Sequence, residues 1–407
     1  MINITDKINC CGCNACFNIC PKTAISMEYD SEGFLYPKID DDKCIKCGLC
    51  LKVCPIIKTD RGIDVWRDGN DKNNGVLEVY GAKNKNIDEQ LKSSSGGMFS
   101  IFANYVLENN GMVFGASFDS SWKVVHKYID KKEDLDTLRR SKYVQSDINI
   151  TYKQAKQFLG ENKLVLFTGT PCQIAGLKSY LQKDYENLIS VDFICHGTPS
   201  PKVWEKFLKE NFNLEQIKSI NFRDKYIGWI GFFDSYIIND KKYKNLIQKF
   251  IKLIKSTRAR NIFVSKYLYS SFFKGFVANL FLRPSCYNCS YKGDRYSDFT
   301  MGDLWGINKI LPNMYDKNGV SVLTINSQKG KDIFEKIKNS IVYEKINYAD
   351  MIKYNPAFVS SAKVHPKRED FFKRYKSEKL NKLIPIILNE KSLIIKLFKK
   401  VIKKICR

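Results

Sequence analysis

The chain has 407 residues and carries 67 Lys and Arg against 43 Asp and Glu, a formal net charge of +24. The excess lies outside residues 1–60, which hold seven Lys and eight acidic side chains. A basic surface attracts an acidic redox protein, a phosphorylated cofactor or anionic lipid, whereas lysines spread over solvated faces need no such partner. No apolar run reaches the length of a membrane span and no signal peptide precedes Cys10, so we expect a cytoplasmic protein. We expect no nucleic acid among its partners.

Two copies of one cysteine pattern occupy residues 10–55, each with spacings of two, two and three residues and a proline after the last cysteine. The first copy consists of Cys10, Cys13, Cys16 and Cys20, and the second consists of Cys44, Cys47, Cys50 and Cys54. Two-cluster bacterial ferredoxins use this spacing, and the fourth cysteine of each copy ligates the cluster of the other copy. The pattern therefore predicts two [4Fe–4S] clusters, one on Cys10, Cys13, Cys16 and Cys54 and one on Cys44, Cys47, Cys50 and Cys20.

Disulfides or zinc could also use closely spaced cysteines. Disulfides need an oxidising compartment, and zinc would leave the third cysteine of each copy and the Cys-Pro ending unexplained. We therefore predict a ferredoxin-like domain with two [4Fe–4S] clusters over residues 1–58 and a polar linker over 59–76. Cys11 lies outside the spacing of the first copy, and we predict that it is a bystander.

From residue 77 onward, short apolar runs alternate with amphipathic stretches. The predicted strands cover 111–116, 163–167 and 188–194. The predicted helices are one that the segment 93–98 opens and that runs to 107, one over 152–159, one that begins near 173, and one over 201–212. This alternation indicates α/β layers. The segment 241–282 is aromatic and basic and is also predicted to be helical.

The stretch 392–407 places apolar and basic side chains on opposite faces of a helix. Such a helix could lie on an anionic membrane surface, which would make the protein membrane-peripheral. Its apolar stripe could equally pack on the domain or on a partner.

Four of the remaining cysteines occupy unusual positions: Cys172 and Cys195 each follow a predicted strand, and Cys286 and Cys289 form a Cys-x2-Cys pair. In α/β sheets, the loops at the carboxyl ends of strands bind ligands. The turn around Cys172 includes Gly169, Thr170 and Gln173, and free backbone N–H groups at such a helix start stabilise a thiolate or a phosphate. The four thiols suffice for a third [4Fe–4S] cluster; a redox or zinc pair at the Cys-x2-Cys motif, and simple burial, are the alternatives.

Two further motifs suggest a flavin site, and one histidine lies beside it. Small residues at Ser93, Ser94, Ser95, Gly96 and Gly97 open a predicted helix, where a pyrophosphate could sit, although a flexible helix entry would have the same composition. Asp303 lies near the Cys-x2-Cys pair as a candidate catalytic carboxylate, or as a turn or cap residue. His196 directly follows Cys195, where it could donate a proton or hydrogen-bond to reduced flavin, or serve as a helix cap.

These motifs together resemble the coenzyme F420 hydrogenase/dehydrogenase beta-subunit family, over about residues 77–310. The segments that carry the resemblance are 94–97, 141–146, 169–173, 195–200, Cys286-x2-Cys289 and 302–306. The fusion to a dicluster ferredoxin domain is similar to members that oxidise the reduced deazaflavin without a hydrogenase partner.

The resemblance implies a flavoprotein whose FAD takes a hydride from a reduced deazaflavin or a comparable small donor and releases electrons singly through iron–sulfur clusters. A flavin can exchange either two electrons or one, which matches a hydride on one side and a cluster on the other. The residues implied at FAD are the loop 93–97 with Ser141, Lys142 and Tyr143, and the four loop cysteines would hold the third cluster.

We therefore predict an α+β protein: a two-[4Fe–4S] ferredoxin-like domain, an α/β flavin-binding domain over 77–160 and 161–345, and a helical basic tail over 346–407. The predicted activity is that of an iron–sulfur flavoprotein oxidoreductase that uses a small hydride donor or a redox partner protein. The alternatives are a ferredoxin-like electron-transfer subunit that docks on another enzyme, for example in a surface-polysaccharide pathway, and a degenerate scaffold.

Overall fold

The computed structural model describes residues 2, 6–60, 75–225, 228–230, 233–238 and 270–389. The predicted basic helix over 392–407, most of the predicted linker, and 241–269 of the predicted helical segment lie outside the described residues. None of the helices in the described ranges is long and apolar enough to cross a membrane.

The strands are β1 (Ile25–Tyr29), β2 (Leu35–Ile39), β3 (Glu78–Asn84), β4 (Met112–Phe118), β5 (Val124–Ile129), β6 (Val165–Thr168), β7 (Leu188–Phe193), β8 (Ile217–Asp224), β9 (Phe233–Ile238), β10 (Phe299–Asp303), β11 (Ser321–Ile325) and β12 (Ile341–Lys345). The helices cover Ala15–Ile19, Leu49–Lys52, Pro55–Asp60, Ile87–Leu91, Met98–Glu108, Leu135–Leu138, Thr151–Gly160, Pro171–Leu181, Pro201–Asn211, Ser271–Val277, Ile307–Ile310, Gln328–Ile337, Tyr348–Tyr354, Arg368–Arg374 and Leu380–Ile387.

The ferredoxin-like part of the chain folds around an antiparallel hairpin of β1 and β2, flanked by short helices. The loop between the strands closes because the Asp30 carboxylate accepts the N–H groups of Glu32 and Phe34. Gly33 in that loop takes a φ of 84°, a conformation that costs glycine little. The hairpin and helices surround the two cysteine runs.

Eight strands form the central sheet, in the order β12-β3-β11-β10-β7-β6-β4-β5. Strands β4, β6, β7 and β10 are parallel neighbours, and β3 runs in the same direction because two antiparallel pairings separate it from β10. The carboxyl ends of these five strands therefore meet at one edge of the sheet, the edge at which α/β proteins bind ligands. The strands at both ends of the sheet, β5 and β12, are antiparallel to their neighbours, a feature that the predicted α/β alternation did not contain.

Alternate residues of the central strands serve two cores. Val165 and Phe167 pack with helices 151–160 and 171–181 and with the ferredoxin-like domain. Leu166 lies on the other face of the sheet, against helices 98–108 and 328–337. The ferredoxin-like domain thus shares a hydrophobic core with one face of the sheet.

Two helix boundaries differ from the sequence expectation for local reasons. The helix expected near residue 173 begins at Pro171, because Thr170 and Gln173 form a capping box and proline suits the first helical position. The described end of the segment predicted helical to 282 leaves the helix after Val277. Asn279 there takes a left-handed φ of 60°, and the N–H of Leu280 bonds to the carbonyl of Gly275.

Candidate functional site

The eight cysteines of the repeated pattern line two separate cavities, each about 350 to 380 Å³ of empty space. We call inner cavity the one lined by Cys10, Cys13, Cys16 and Cys54, and outer cavity the one lined by Cys20, Cys44, Cys47 and Cys50. The structure thus brings together the four members of each predicted ligand set, including the fourth cysteine from the other copy. In the described residues, no three His, Cys, Asp or Glu side chains converge to hold a single metal ion, and the thiols surround a space instead.

The two cavities differ in their access to solvent. In the inner set Cys13, Cys16 and Cys54 are buried, whereas in the outer set Cys47 is exposed and the other thiols are partly exposed. Burial raises the pKa of Cys16 well above its usual value, and the neighbouring thiols contribute a smaller increase. Without a metal beside it, the Cys16 thiol would therefore stay protonated at neutral pH.

A third cavity, which we call the loop cavity, lies at the carboxyl edge of the sheet. Cys172, Cys195, Cys286 and Cys289 all line it, so the structure brings together the four further cysteines that the sequence singled out. The cavity holds about 690 Å³ of empty space, part of it open to solvent. Burial raises the pKa of Cys289 to about 12, and nearby thiols add to this shift.

The residues around the loop cavity direct hydrogen bonds at its sulfur atoms. Thr170 Oγ1 lies 3.1 Å from Cys172 Sγ, and the N–H of Thr198 donates to Cys286 Sγ at 3.4 Å. Lys292 donates to the carbonyl of Cys195, which ties the Cys-x2-Cys segment to the loop after β7. Thr170 and Gln173, which the sequence suggested as cofactor contacts, line this cavity, and Gly169 immediately precedes them.

Cys11 lies between the inner cavity and the loop cavity and lines both of them. Its thiol interacts with those of Cys13 and Cys172, one from each cavity. The sequence indicated only a bystander, because Cys11 falls outside the repeated spacing. The two cavities are therefore adjacent, and Cys11 and Ile56 line both of them.

Two residues that the sequence analysis did not single out connect the loop cavity to the inner cavity. Arg283 is 1% exposed, and its guanidinium donates to the carbonyl of Cys10 at 2.7 Å and to Cys10 Sγ at 3.5 Å. Gln145 accepts from the same guanidinium and donates to the carbonyl of Cys11. The available signal was their position in the sequence: Gln145 lies within the motif 141–146, and Arg283 lies three residues before Cys286.

The small-residue loop 93–97 follows the carboxyl end of β3. Ser94 Oγ accepts the N–H of Ser141 at 2.9 Å, so two segments predicted to contact flavin meet here. A Cβ at Gly96 would lie 2.5 Å from the carbonyl oxygen of Ala82, which explains the need for glycine at this position. Ser93, Gly96 and Gly97 are buried, and Ser94 and Ser95 are partly exposed.

Basic side chains surround this loop. Lys225 donates to the carbonyl of Ser95 at 2.7 Å, and Arg140 donates to that of Lys92. Burial, opposed by the Asp303 carboxylate and assisted by the charges of Arg223 and Arg140, lowers the pKa of Lys225 to about 7. An anion beside the loop 93–97 would reduce the repulsion among these basic side chains, so the site is suited to a phosphate group.

The side chain of Lys142 bonds within its own loop and not to the small-residue loop 93–97. Its Nζ donates to the carbonyls of Leu138 and Arg139, at the end of helix 135–138. Burial lowers its pKa to about 7. The structure therefore gives Lys142 a helix-capping role within its own loop.

Tyr143, His196 and Asp303 belong to one connected group of side chains. Tyr143 and His196 both pack on the ring of Phe276, at centroid distances of 4.9 and 5.5 Å. Arg223 donates to the Tyr143 hydroxyl at 3.4 Å and forms an ion pair with Asp303.

The two candidate catalytic residues are both engaged by neighbours. The other carboxylate oxygen of Asp303 accepts the indole N–H of Trp229 at 3.0 Å. His196 Nε2 lies 2.5 Å from the side-chain oxygen of Asn279. The helix-cap alternative for His196 is wrong, because Ser200 caps helix 201–211.

Comparisons with known proteins agree with the motifs. Residues 162–350 match the family described as the C terminus of the coenzyme F420 hydrogenase/dehydrogenase beta subunit, and residues 9–56 match the 4Fe-4S dicluster domain. Over 226 residues the chain is 26% identical to the coenzyme F420-dependent sulfite reductase of Methanocaldococcus jannaschii, a match that covers 53% of this chain and 33% of that protein. Over 220 residues it is 23% identical to an F(420)H(2) dehydrogenase subunit from Methanosarcina mazei, a match that covers 50% of this chain and 59% of that protein.

The ferredoxin-like part has its own relative, an uncharacterized ferredoxin of Methanocaldococcus jannaschii that is 35% identical over 52 residues, 13% of this chain and 66% of that protein. The chain thus spans between a third and two thirds of the length of these relatives. Among solved structures, a chain of the F420-reducing [NiFe] hydrogenase complex of Methanosarcina barkeri is similar at 15% identity and a TM-score of 0.43, over 70% of this chain and 92% of that chain. The chain thus combines a region similar to the C terminus of the coenzyme F420 hydrogenase/dehydrogenase beta subunit, at residues 162–350, with a 4Fe-4S dicluster domain match at residues 9–56.

Proposed function

We propose that the protein is an iron–sulfur flavoprotein oxidoreductase that exchanges a hydride with a small donor and passes the electrons singly through three [4Fe–4S] clusters. The observation that carries the proposal is the arrangement of the three thiol-lined cavities. The loop cavity and the inner cavity share Cys11, and the two cysteine runs cross between the inner and outer cavities. Clusters in these three cavities would let an electron move in short steps from the carboxyl edge of the sheet to the surface of the ferredoxin-like domain.

Each cavity supplies four thiols, the donor set that a [4Fe–4S] cluster requires. Burial raises the pKa of thiols in the inner and loop cavities, so cationic iron would supply the charge that allows them to ionise there. We assign the third cluster to Cys172, Cys195, Cys286 and Cys289. Thr170 and Thr198 would donate hydrogen bonds to its sulfur atoms.

The corner formed by Ser94, Ser95 and Ser141 would hold the pyrophosphate of FAD, with Lys225 and Arg140 as the nearby positive charges. FAD would supply the conversion between one hydride and two single electrons. The ion pair of Arg223 with Asp303 holds the guanidinium against the Tyr143 hydroxyl, so we assign Asp303 a positioning role. His196, exposed and oriented by Asn279, is suited to moving a proton between the site and solvent.

Both longer relatives carry coenzyme F420 in their names, so a reduced deazaflavin or a chemically similar hydride donor is the substrate class we propose. The outer cavity suits the exchange of electrons with a redox partner protein in the cytoplasm. Its Cys47 is exposed, and Ile45 beside it is 58% exposed. The same surface would serve a docking subunit without a substrate of its own, so the test must separate the two functions.

The test is anaerobic purification followed by iron, acid-labile sulfide and flavin quantification on one sample. The proposal predicts about twelve irons per chain, from three clusters of four, and about one FAD. About eight irons without flavin would contradict it and favour the docking subunit. A Cys286→Ser, Cys289→Ser double variant should lose about four irons and keep the other two clusters.

A further inference from the structure

Arg283 is a buried cation that the proposed electron route does not explain. It is 1% exposed, and all of its hydrogen-bond partners in the described structure are neutral groups or a thiol. Its guanidinium also lies over the ring of Tyr36, at 4.2 Å from the centroid. A buried charge without a carboxylate is costly unless another negative group compensates it.

The nearest group able to carry negative charge is the thiol of Cys10, to which Nη2 donates at 3.5 Å. The remaining donors fix this geometry: Nε bonds to the carbonyl of Cys10 and Nη2 also to that of Leu35. Gly12 leaves the necessary room, because a Cβ there would lie 2.7 Å from Nη1. The arginine is therefore held rigidly against one predicted ligand of the inner cavity.

Arg283 and Cys10 come from different parts of the chain. Arg283 belongs to the Cys-x2-Cys segment of residues 162–350, whereas Cys10 belongs to the dicluster domain. A positive charge fixed near a cluster favours the reduced, more negative state, and hydrogen bonds to sulfur act in the same direction. The charge reaches the inner cavity only because the two parts of the chain pack together.

We propose that Arg283 raises the reduction potential of the inner cluster relative to the outer cluster, and so makes that potential depend on the docking of the two parts of the chain. Arg283 is a positioning residue and takes no part in hydride transfer. This inference rests on the two clusters of the proposed function, and on neither the third cluster nor FAD.

The test is an anaerobic redox titration with dithionite, followed by electron paramagnetic resonance, on the full chain and on Arg283→Gln. Signals are assigned to the inner and outer clusters with Cys16→Ser and Cys47→Ser. In Arg283→Gln, the equilibrium for an electron shared between the two clusters should move at least tenfold towards the outer cluster. This corresponds to a fall of about 59 mV in the reduction potential of the inner cluster relative to the outer one, for a one-electron couple. Arg283→Lys keeps the charge but not the planar donor set, so its shift should be smaller.

Lys46→Gln is the matched control, because it removes a positive charge at the outer cavity and should leave the inner potential unchanged. Unchanged potentials in Arg283→Gln with both clusters present would overturn the inference and leave the proposed function intact. Wild-type protein labelled with 15N-arginine gives a test that needs no variant: pulsed resonance should detect nitrogen coupling at the reduced inner cluster. Absence of that coupling would also overturn the inference.

Discussion

Cys54 belongs to the second cysteine run and yet lines the same cavity as Cys16 of the first. The packing of helices Ala15–Ile19 and Leu49–Lys52 brings the end of the second run to the first. Cys11, by contrast, is adjacent to a predicted ligand in sequence but lies on the side that faces the loop cavity. At the residue scale, position in the fold separates ligands from bystanders.

This difference predicts the effect of two substitutions. Cys54→Ser should remove the inner cluster and leave the outer one, which lowers the iron content by about four per chain. Cys11→Ser should keep the full iron content, because Cys11 belongs to neither predicted ligand set. Iron quantification and resonance spectra of both variants check this, and loss of the outer signal in Cys54→Ser would contradict the crossed assignment.

We expect buried His126 to make the free energy of unfolding depend on pH. Its Nε2 lies 2.9 Å from the carbonyl of Thr168, and burial lowers its pKa to about 4. The unfolded chain binds a proton near pH 6.5, so this contribution is present above that pH and is lost as the pH falls towards 4. Between pH 7 and 5 the wild type should lose about 2 kcal/mol more unfolding free energy than His126→Gln. Equal losses in urea titrations would contradict the prediction.

At the scale of elements, helix 171–181 approaches the ferredoxin-like domain closely enough to require glycine. A Cβ at Gly176 would lie 2.7 Å from the Cβ of Cys13 and 2.9 Å from the hydroxyl of Tyr152. The helix therefore supports the wall of the inner cavity as well as carrying Cys172 at its start. One element thus links the loop cavity to the inner cavity.

Gly176→Ala should destabilise the protein by about 1–3 kcal/mol, because the added methyl group forces the helix away from Cys13. It should also lower the iron content of the inner cluster. Gly160→Ala is the matched control, since a Cβ there has nothing within 4 Å. Thermal unfolding and iron analysis of the pair provide the check, and equal behaviour of the two variants would contradict the close-packing argument.

At the scale of the whole molecule, the ferredoxin-like domain is held by the far end of the chain. Arg368 pairs with Glu32 through its two terminal guanidinium nitrogens, Nη1 and Nη2, and Tyr375 donates to the carbonyl of Ser31. Ser200, which caps helix 201–211, also donates to the Glu32 carbonyl. The loop between β1 and β2 is thus bound by two separate parts of the fold, helix 368–374 with its C-cap and the start of helix 201–211.

Glu32→Lys should loosen this docking, because it places two cations together at a partly buried site. Amide hydrogen exchange in the loop 30–34 should become at least several-fold faster than in the wild type. The double variant Glu32→Arg, Arg368→Glu restores opposite charges and should recover part of the protection. Unchanged exchange in Glu32→Lys would show that the ion pair does not hold the domain.

The repeated spacing of cysteines predicted which four thiols line each cavity, because two-cluster ferredoxins with this spacing exchange the fourth cysteine between the two runs. The alternation of apolar and polar residues likewise predicted strands β4, β6 and β7 and the helices between them, since periodicity records which face is buried. Neither the antiparallel strands β5 and β12 nor the orientation of Lys142 was predictable in this way. Strand partners and side-chain hydrogen bonds depend on residues distant in sequence.

The thiols, their spacing and the motifs shared with the family were enough to indicate which chemistry to expect of the chain. Tertiary structure alone decided how these sites connect. Arg283 reaches Cys10 across 273 positions of sequence, and Cys11 adjoins Cys172 only because helix 171–181 packs on the ferredoxin-like domain. Local patterns indicate which residues are candidate ligands, whereas the packed core decides which of them come together and how two sites contact each other.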